Sequence, residues 1–486
     1  MTERPPSSRR TGALPEMDAA SAARSIDPGD TVAVSGFGSV GYPKAVPSAL
    51  AAHWDGEPGL TLISGGSLGP EIDTEMLESG ALAYRAPYQS RPASRKAINE
   101  GELRFEDRHV SAIGEEVLRR RYGNVDIAIV EAVAVGPDWL VPSTALGPTP
   151  SYVAAADRLI VELNRAQPLA LGQLHDVYRR PLPPERKPLP LVEPGDRIGG
   201  PRITFDSDQL LAVVDTATPD TPYSFREPTA ADEAIAAHMA DLLSTELGVD
   251  PAFDDRVALQ FGVGSLGNAL MGALERVPFG SREVVYYGEV IQDGLLDLLD
   301  SGRLDSASAA SLALSADGQT RLFDDIERYA ASIVLRPSSI SNSPALIRQL
   351  GVIAVNSALE VDLYGHVNST HLAGSRIVNG VGGSGDFLRN APLSIVTLGA
   401  TAADGDISRI VPMVPHVDHT EHDVDVVITD EGVADLRGLA PAERAEALIL
   451  NCAAPAYRES LGRYRETAAG SGHEPHDRSL ALDWED

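Results

Sequence analysis

Short runs of β-branched and other apolar residues recur through the chain, separated by Ala- and Leu-rich stretches of helical length. The first set is TVAVS (31–35), LTLIS (60–64), VDIAIVEAVAV (125–135), RLIVEL (158–163) and LLAVV (210–214). The pattern resumes with VALQF (257–261), EVVYYG (283–288), ASIVL (331–335), GVIAV (351–355), LSIVTLG (393–399) and VDVVIT (424–429). Such alternation predicts an α/β architecture with largely parallel sheets. At 486 residues the chain is too long for one ordinary core. Periodicity fails between the two sets, in DTATPDTPYSFREPTAADE (215–233), where prolines, threonines and acids crowd together. This places a first domain at 1–217, a linker at 218–233 and a second domain at 234–486. The Pro-rich run at 179–200 reads as an excursion from the first domain, because LLAVV still follows it.

An apolar content of 43% with 44 glycines describes a globular chain. Its 70 acidic residues outweigh 40 basic ones, a formal net charge of -30, so a polyanion is a poor partner and neither nucleic acid nor an anionic membrane is expected. Lys44, Lys96 and Lys187 are the only lysines. An acid-rich, lysine-poor surface suits high salt, where screening relieves self-repulsion. The single cysteine, Cys452, rules out an internal disulfide framework and a Cys-rich zinc site. The polar start MTERPPSSRRTG has no apolar segment behind it, and no apolar run is long enough to span a bilayer, so a cytoplasmic protein is expected.

Each half opens on a strand, a glycine turn and a helix, with Gly36, Gly38 and Gly41 in register with Gly262, Gly264 and Gly267. Duplication and a shared geometric demand explain this equally well. Both turns match the G-x-G-x-x-G pattern of dinucleotide sites, so an NAD-dependent oxidoreductase is one reading. That fingerprint wants an acid at the end of the next strand. Ser64-Gly65-Gly66 offers none in the first half, whereas Glu289 stands there in the second. Glu289 follows a strand suited to burial, at the end where parallel sheets carry their sites, although an acid there also serves simply to cap a helix.

Longer motifs are more specific: SSISNSPALIRQLGVIAVNSALEVDLYGHVNSTHLAG, NGVGGSGDFLRNAPLSIVTLG, VPMVPHVDHTEHDVDVVITDEGVADL, and in the first half GSVGYPKAVPSAL and PYQSRPASRKAINEGELRFEDRHVS. Over nearly its whole length the sequence resembles the acetyl-CoA hydrolase and acetate- or succinate-type CoA-transferase family. The resemblance implies two open α/β domains of the CoA-transferase type, a homodimer, acyl-CoA and short-chain carboxylates as substrates, and no permanently bound cofactor or metal. It implies that Glu289 of YYGEVIQDG is a covalent nucleophile that carries CoA as a thioester, with Asn342 of SISNSP beside it. It implies that the Gly262, Val263, Gly264, Ser265, Leu266 turn contacts CoA, that the Val263 and Gly383 amides stabilise an oxyanion, and that Asn379 and Leu359 also contact CoA. Two positions depart from the family pattern: Gly288 replaces a usual threonine before the nucleophile, and Ala403 and Asp406 stand where lysines are common.

A positioned, partly desolvated carboxylate is an adequate nucleophile against a thioester, and amides on glycine turns suit the oxyanions that follow. A transferase hands the acyl chemistry to a carboxylate and a hydrolase hands it to water, both through the same glutamate. SGGSLG (64–69) and PYQS (87–90) are candidates for the wall around the acyl group. The histidines of HVDHTEHDVD, His416, His419 and His422, are spaced by three, but Pro412 and Pro415 precede them and a β-branched strand follows. A hydrogen-bonded turn is therefore expected there in place of a helical metal face.

Overall fold

A computed structural model describes residues 6–470 and 472–481. The chain divides into two compact units, Met1–Ser224 with Tyr286–Leu346, and Phe225–Val285 with Ile347–Asp486. Every apolar run named above forms a strand.

The first unit contains a nine-stranded sheet of β1 (Thr31–Val34), β2 (Leu60–Ile63), β3 (Leu82–Ala86), β4 (Arg104–Phe105), β5 (Val125–Val135), β6 (Trp139–Pro142), β7 (Ala156–Asn164), β8 (Ile203–Thr204) and β9 (Leu210–Thr216). Strands β4, β3, β2, β1, β5, β7 and β9 lie side by side in that order and all pair in parallel. The second half of β5 turns to a different partner, β6, which pairs antiparallel to it and then to β8. Alternate residues serve opposite faces. Val32, Val34, Ile127 and Ile129 pack with Val46 and Leu50 of helix Ala45–His53, whereas Ala33, Ala128 and Val130 pack with Ile113 and Val117 of helix Val110–Leu118. Covering both faces buries nearly all of β5, which accounts for its almost unbroken apolar sequence.

Under the start of helix Ala45–His53 lies a buried charged network. Lys44 Nζ donates to the Tyr42 carbonyl (2.9 Å) and pairs with Glu131 (2.7 Å) and Asp220 (2.8 Å). Glu162 accepts from the backbone N–H groups of Lys44, Ala45 and Val46, so a carboxylate closes the helix start in place of a capping side chain. Asp220 lies in the stretch read as a linker, yet it is buried and also accepts from Gly41 N and Gln167 Nε2. Tyr223 follows it, its hydroxyl donating to the Gly38 carbonyl (2.5 Å). Helix Ala230–Val249 then begins at a capping box of Thr229 and Asp232.

Grouping by packing differs from the order along the chain, because residues 286–346 pack with the first unit. The cause is backbone hydrogen bonding. Leu146 N donates to Ala310 O (2.8 Å), Leu312 N to Thr144 O (3.0 Å) and Ser338 N to Gly147 O (3.0 Å). Val290, Ala310 and Ala313 share an apolar cluster with Phe37, Val40, Val110 and Ala145.

In the second unit, strands Arg256–Phe261, Val352–Ser357, Leu393–Thr397 and Val426–Thr429 lie in that order, all parallel, and Gly432–Asp435 pairs antiparallel to the last. No helix among the described residues is long and apolar enough to cross a membrane.

Candidate active site

Glu289 stands two residues beyond strand Glu283–Tyr287, and its backbone is fixed on either side: Gly288 N donates to Ser308 O (3.0 Å) and Ala310 N to Glu289 O (2.8 Å). Its side chain is partly buried, and Asn342 Nδ2 donates to Oε1 at 2.5 Å. A hydrogen bond to an ionised acceptor is among the strong ones. Asn342 is wholly buried, and the Ser341 hydroxyl donates to its Oδ1 (2.9 Å), which fixes the amide with its nitrogen toward the glutamate. Helix Ser338–Ser341, which ends at Asn342, is held by the Tyr287 hydroxyl donating to the Ile340 carbonyl. Burial pushes the Tyr287 phenol up, so it stays a neutral donor.

The glycine before the nucleophile has a local cause. A Cβ at Gly288 would lie 2.5 Å from Cζ of Tyr286 and closer still to its hydroxyl, so the buried phenol occupies the space of a side chain there. The Tyr286 hydroxyl donates to the Val290 carbonyl (3.2 Å), bridging over Glu289.

The two candidate wall loops are joined to each other in the same unit. Ser90 N and Oγ both donate to Ser67 Oγ (2.8 and 3.0 Å), and Arg91 Nε donates to Leu68 O (2.8 Å). Beneath them a buried Arg85 pairs with Asp73 and donates to Ser64 Oγ, Ala86 O and Gly66 O, so the SGGSLG loop is pinned through the Ser64 hydroxyl and the Gly66 carbonyl.

The remaining residues singled out in the sequence belong to the second unit. Gly262–Leu266 follows strand Arg256–Phe261, and Leu359 follows its parallel neighbour Val352–Ser357, so both lie at the carboxyl edge of that sheet. Gly383 caps the short helix Ser384–Leu388, which packs on Val352–Ser357 and leads into Leu393–Thr397. Its start therefore lies toward the same edge. Gly264 has φ of 131° with open space where a Cβ would stand, and Val263 is half exposed, so the turn presents its backbone outward. The first glycine turn is different: a Cβ at Gly41 would lie 2.6 Å from Ala145 N, and one at Gly36 2.6 Å from Tyr42 Cβ. Protein packs closely against that turn, in a half whose next strand already lacked the acid of the dinucleotide fingerprint.

Leu359 N–H donates to Asn368 O (2.9 Å), and its carbonyl accepts from Arg409 Nε (2.6 Å). Arg409 is thus engaged by the chain itself and does not stand in for the lysines missing at Ala403 and Asp406, which lie in an exposed loop. Two supports were illegible in the sequence. Gln260 and Asn356 exchange side-chain amide hydrogen bonds (3.3 and 2.9 Å) beneath the Gly262 turn. His419, buried, meets Ser384 Oγ at 3.2 Å, and that hydroxyl donates to Val381 O (2.7 Å), bracing the glycine loop before Gly383.

The three histidines do not converge. His416 pairs with Asp418 (3.2 Å), His419 goes to Ser384, and His422 is exposed beside Glu421 (3.0 Å). The grouping of metal-ligand type found among the described residues, His366, Glu421 and Glu474, contains none of them.

Residues 13–179 match the acetyl-CoA hydrolase/transferase N-terminal domain, and residues 318–465 the C-terminal domain of the same family. The chain belongs to the acetyl-CoA hydrolase/transferase family. Among relatives, it is 44% identical over 469 residues to a succinyl-CoA:acetate CoA-transferase of Clostridium kluyveri, covering 95% of this chain and 87% of that protein. It is 40% identical over 470 residues to an acetyl-CoA hydrolase of Schizosaccharomyces pombe, covering 92% and 90%. RipA from Yersinia pestis shares the fold, with a TM-score of 0.72 at 22% identity over 94% of this chain and 97% of that one. Family membership makes this protein an enzyme of the CoA-transferase or acetyl-CoA hydrolase type, and its α/β architecture is that of the family.

Proposed function

We propose that this protein is a CoA-transferase that moves CoA between a short-chain acyl-CoA and a carboxylate such as acetate or succinate, through a glutamyl-CoA thioester on Glu289. The observation that carries this reading is the Asn342–Glu289 hydrogen bond, which orients the carboxylate for attack. The Glu289 carboxylate attacks the thioester carbonyl, and collapse of the tetrahedral intermediate expels CoA thiolate and leaves a mixed anhydride. The thiolate then attacks the glutamyl carbonyl and expels the free carboxylate, so Glu289 carries CoA. An acceptor carboxylate attacks that thioester, and the two steps run in reverse to release a new acyl-CoA and the glutamate. Each addition places a negative charge on oxygen, for which the Val263 and Gly383 amides are the assigned donors. The outward-facing turn at Gly262–Leu266 supports a role in holding CoA, together with Leu359 and Asn379. No resident metal or cofactor takes part.

Acetyl-CoA hydrolysis by the same glutamate is the second reading, favoured by the hydrolase relatives. Incubation with acyl-CoA and no acceptor should leave CoA on the peptide containing Glu289, seen by mass spectrometry, and kinetics with an acceptor should be ping-pong. Glu289→Gln should abolish both the adduct and turnover while CoA still binds. An adduct on another residue, or none with any acyl donor, would overturn the mechanism. An adduct that discharges to water as fast as full turnover would make the protein a hydrolase.

A further inference from the structure

A separate cavity of about 250 Å³ lies wholly within the first unit, walled by residues 111–118 of helix Val110–Leu118, the start of the Pro-rich excursion and residues 337–344. Arg179, Arg180 and Arg186 line it, and Glu115 is the one acidic residue among its lining side chains. Glu115 is already paired with Arg186 at 2.7 Å. Arg179 and Arg180 make no ion pair with any described residue, although the chain carries 70 acids. Arg180 is partly buried, and its Nε is sealed from solvent without a hydrogen-bond partner. An N–H taken from water with no acceptor is costly, and Glu115, the acidic neighbour whose charge reaches Arg180, is already paired with Arg186. Serine hydroxyls of Ser151, Ser339 and Ser343 share the lining.

The geometry points to a binding site for a small multivalent oxyanion, held by the guanidiniums of Arg179 and Arg180 with serine hydroxyls around it. Guanidinium forks match carboxylate and phosphate oxygens two at a time, which names the ligand chemistry. Drug-sized ligands fill pockets of about 300–1,000 Å³, so this smaller cavity suits a di- or tricarboxylate or a small phosphate and excludes a whole CoA molecule. Ser339 and Ser343 stand on either side of Asn342, so the occupant would bear on the segment that holds Glu289.

The test is isothermal titration of the full chain with sodium citrate and, separately, with sodium pyrophosphate, at an ionic strength held constant with KCl. Sodium acetate is the singly charged control. Saturable one-to-one binding of citrate or pyrophosphate, about tenfold tighter than acetate and weakened about tenfold in Arg180→Gln, is expected. The tighter of the two anions identifies the ligand as carboxylate or phosphate. Arg179→Gln, an exposed position, carries the same expectation should Arg180→Gln fail to fold by circular dichroism. No saturable heat with either anion, or affinities unchanged in the folded variants, would overturn the site.

Discussion

Replacing Gly288 by alanine puts a methyl carbon 2.5 Å from Cζ of Tyr286. Carbon atoms sit comfortably about 3.5–4.0 Å apart, so the ring must retreat by about 1 Å. It has no free space to enter, because Tyr286 is wholly buried, and its hydroxyl is tied to the Val290 carbonyl on the far side of Glu289. Overpacking of this kind costs about 1–3 kcal/mol of stability. A displacement of about 1 Å passed to the nucleophile costs roughly 100-fold in rate. Gly288→Ala should therefore lower the urea midpoint and reduce kcat for CoA transfer by about two orders of magnitude, with CoA binding much less affected. Tyr286→Leu removes the obstacle, so the alanine should cost little in that background. A coupling energy of about 1–3 kcal/mol between the two sites is expected from the double-mutant cycle. Strictly additive costs, or a Gly288→Ala enzyme with the parent's midpoint and kcat, would refute the argument that the phenol holds this space.

Asn342→Ala removes the donor to Glu289, a charge-assisted bond worth about 1.5–3 kcal/mol, and should lower kcat about 10- to 100-fold in steady-state assays. His366 is raised to about 8, chiefly by its hydrogen bond to Asp362 and then by the charges of Asp362 and Glu421. The folded state thus holds this proton more tightly than the unfolded chain. Its stabilisation is complete below the ordinary value of 6.5 and is lost as pH rises through about 8, so the thermal midpoint should fall across that window and His366→Asn should flatten the fall. Self-repulsion at a net charge of -30 should make the thermal midpoint climb with KCl between about 0.05 and about 2 M, and a flat response would count against salt adaptation.

The strands were legible because a parallel strand covered on both faces must be apolar along its length, and that signal is local. The grouping of residues 286–346 with the first unit was not, since it rests on carbonyls and amides at 144–147 that carry no side-chain signature. Likewise the two glycine turns read alike, and only the position of Ala145 and Tyr42 shows that one is closely packed while the other is open. Glu289 and Asn342 were legible through long motifs shared with a family, and they meet in the structure. The partners of Ser341, Tyr286 and His419 were not legible for a common reason: sequence spacing does not reveal what each side chain meets. The proline-rich stretch at 215–233 carried the composition of a connector, yet a single buried carboxylate, Asp220, fastens its beginning to the first unit.

Lys44 shows where a bias in composition stops. An ammonium offers three donors arranged around one nitrogen, and Tyr42 O, Glu131 and Asp220 supply three acceptors within 2.9 Å of it. A guanidinium is flat and wider, with five donors in a fork, and would bring more hydrogens than this chamber has oxygens to receive. The preference for arginine reaches the interior too, at the wholly buried Arg85 with its several acceptors, but it stops at this chamber. Inside, stoichiometry of donors and acceptors chooses the cation, whatever the salinity outside.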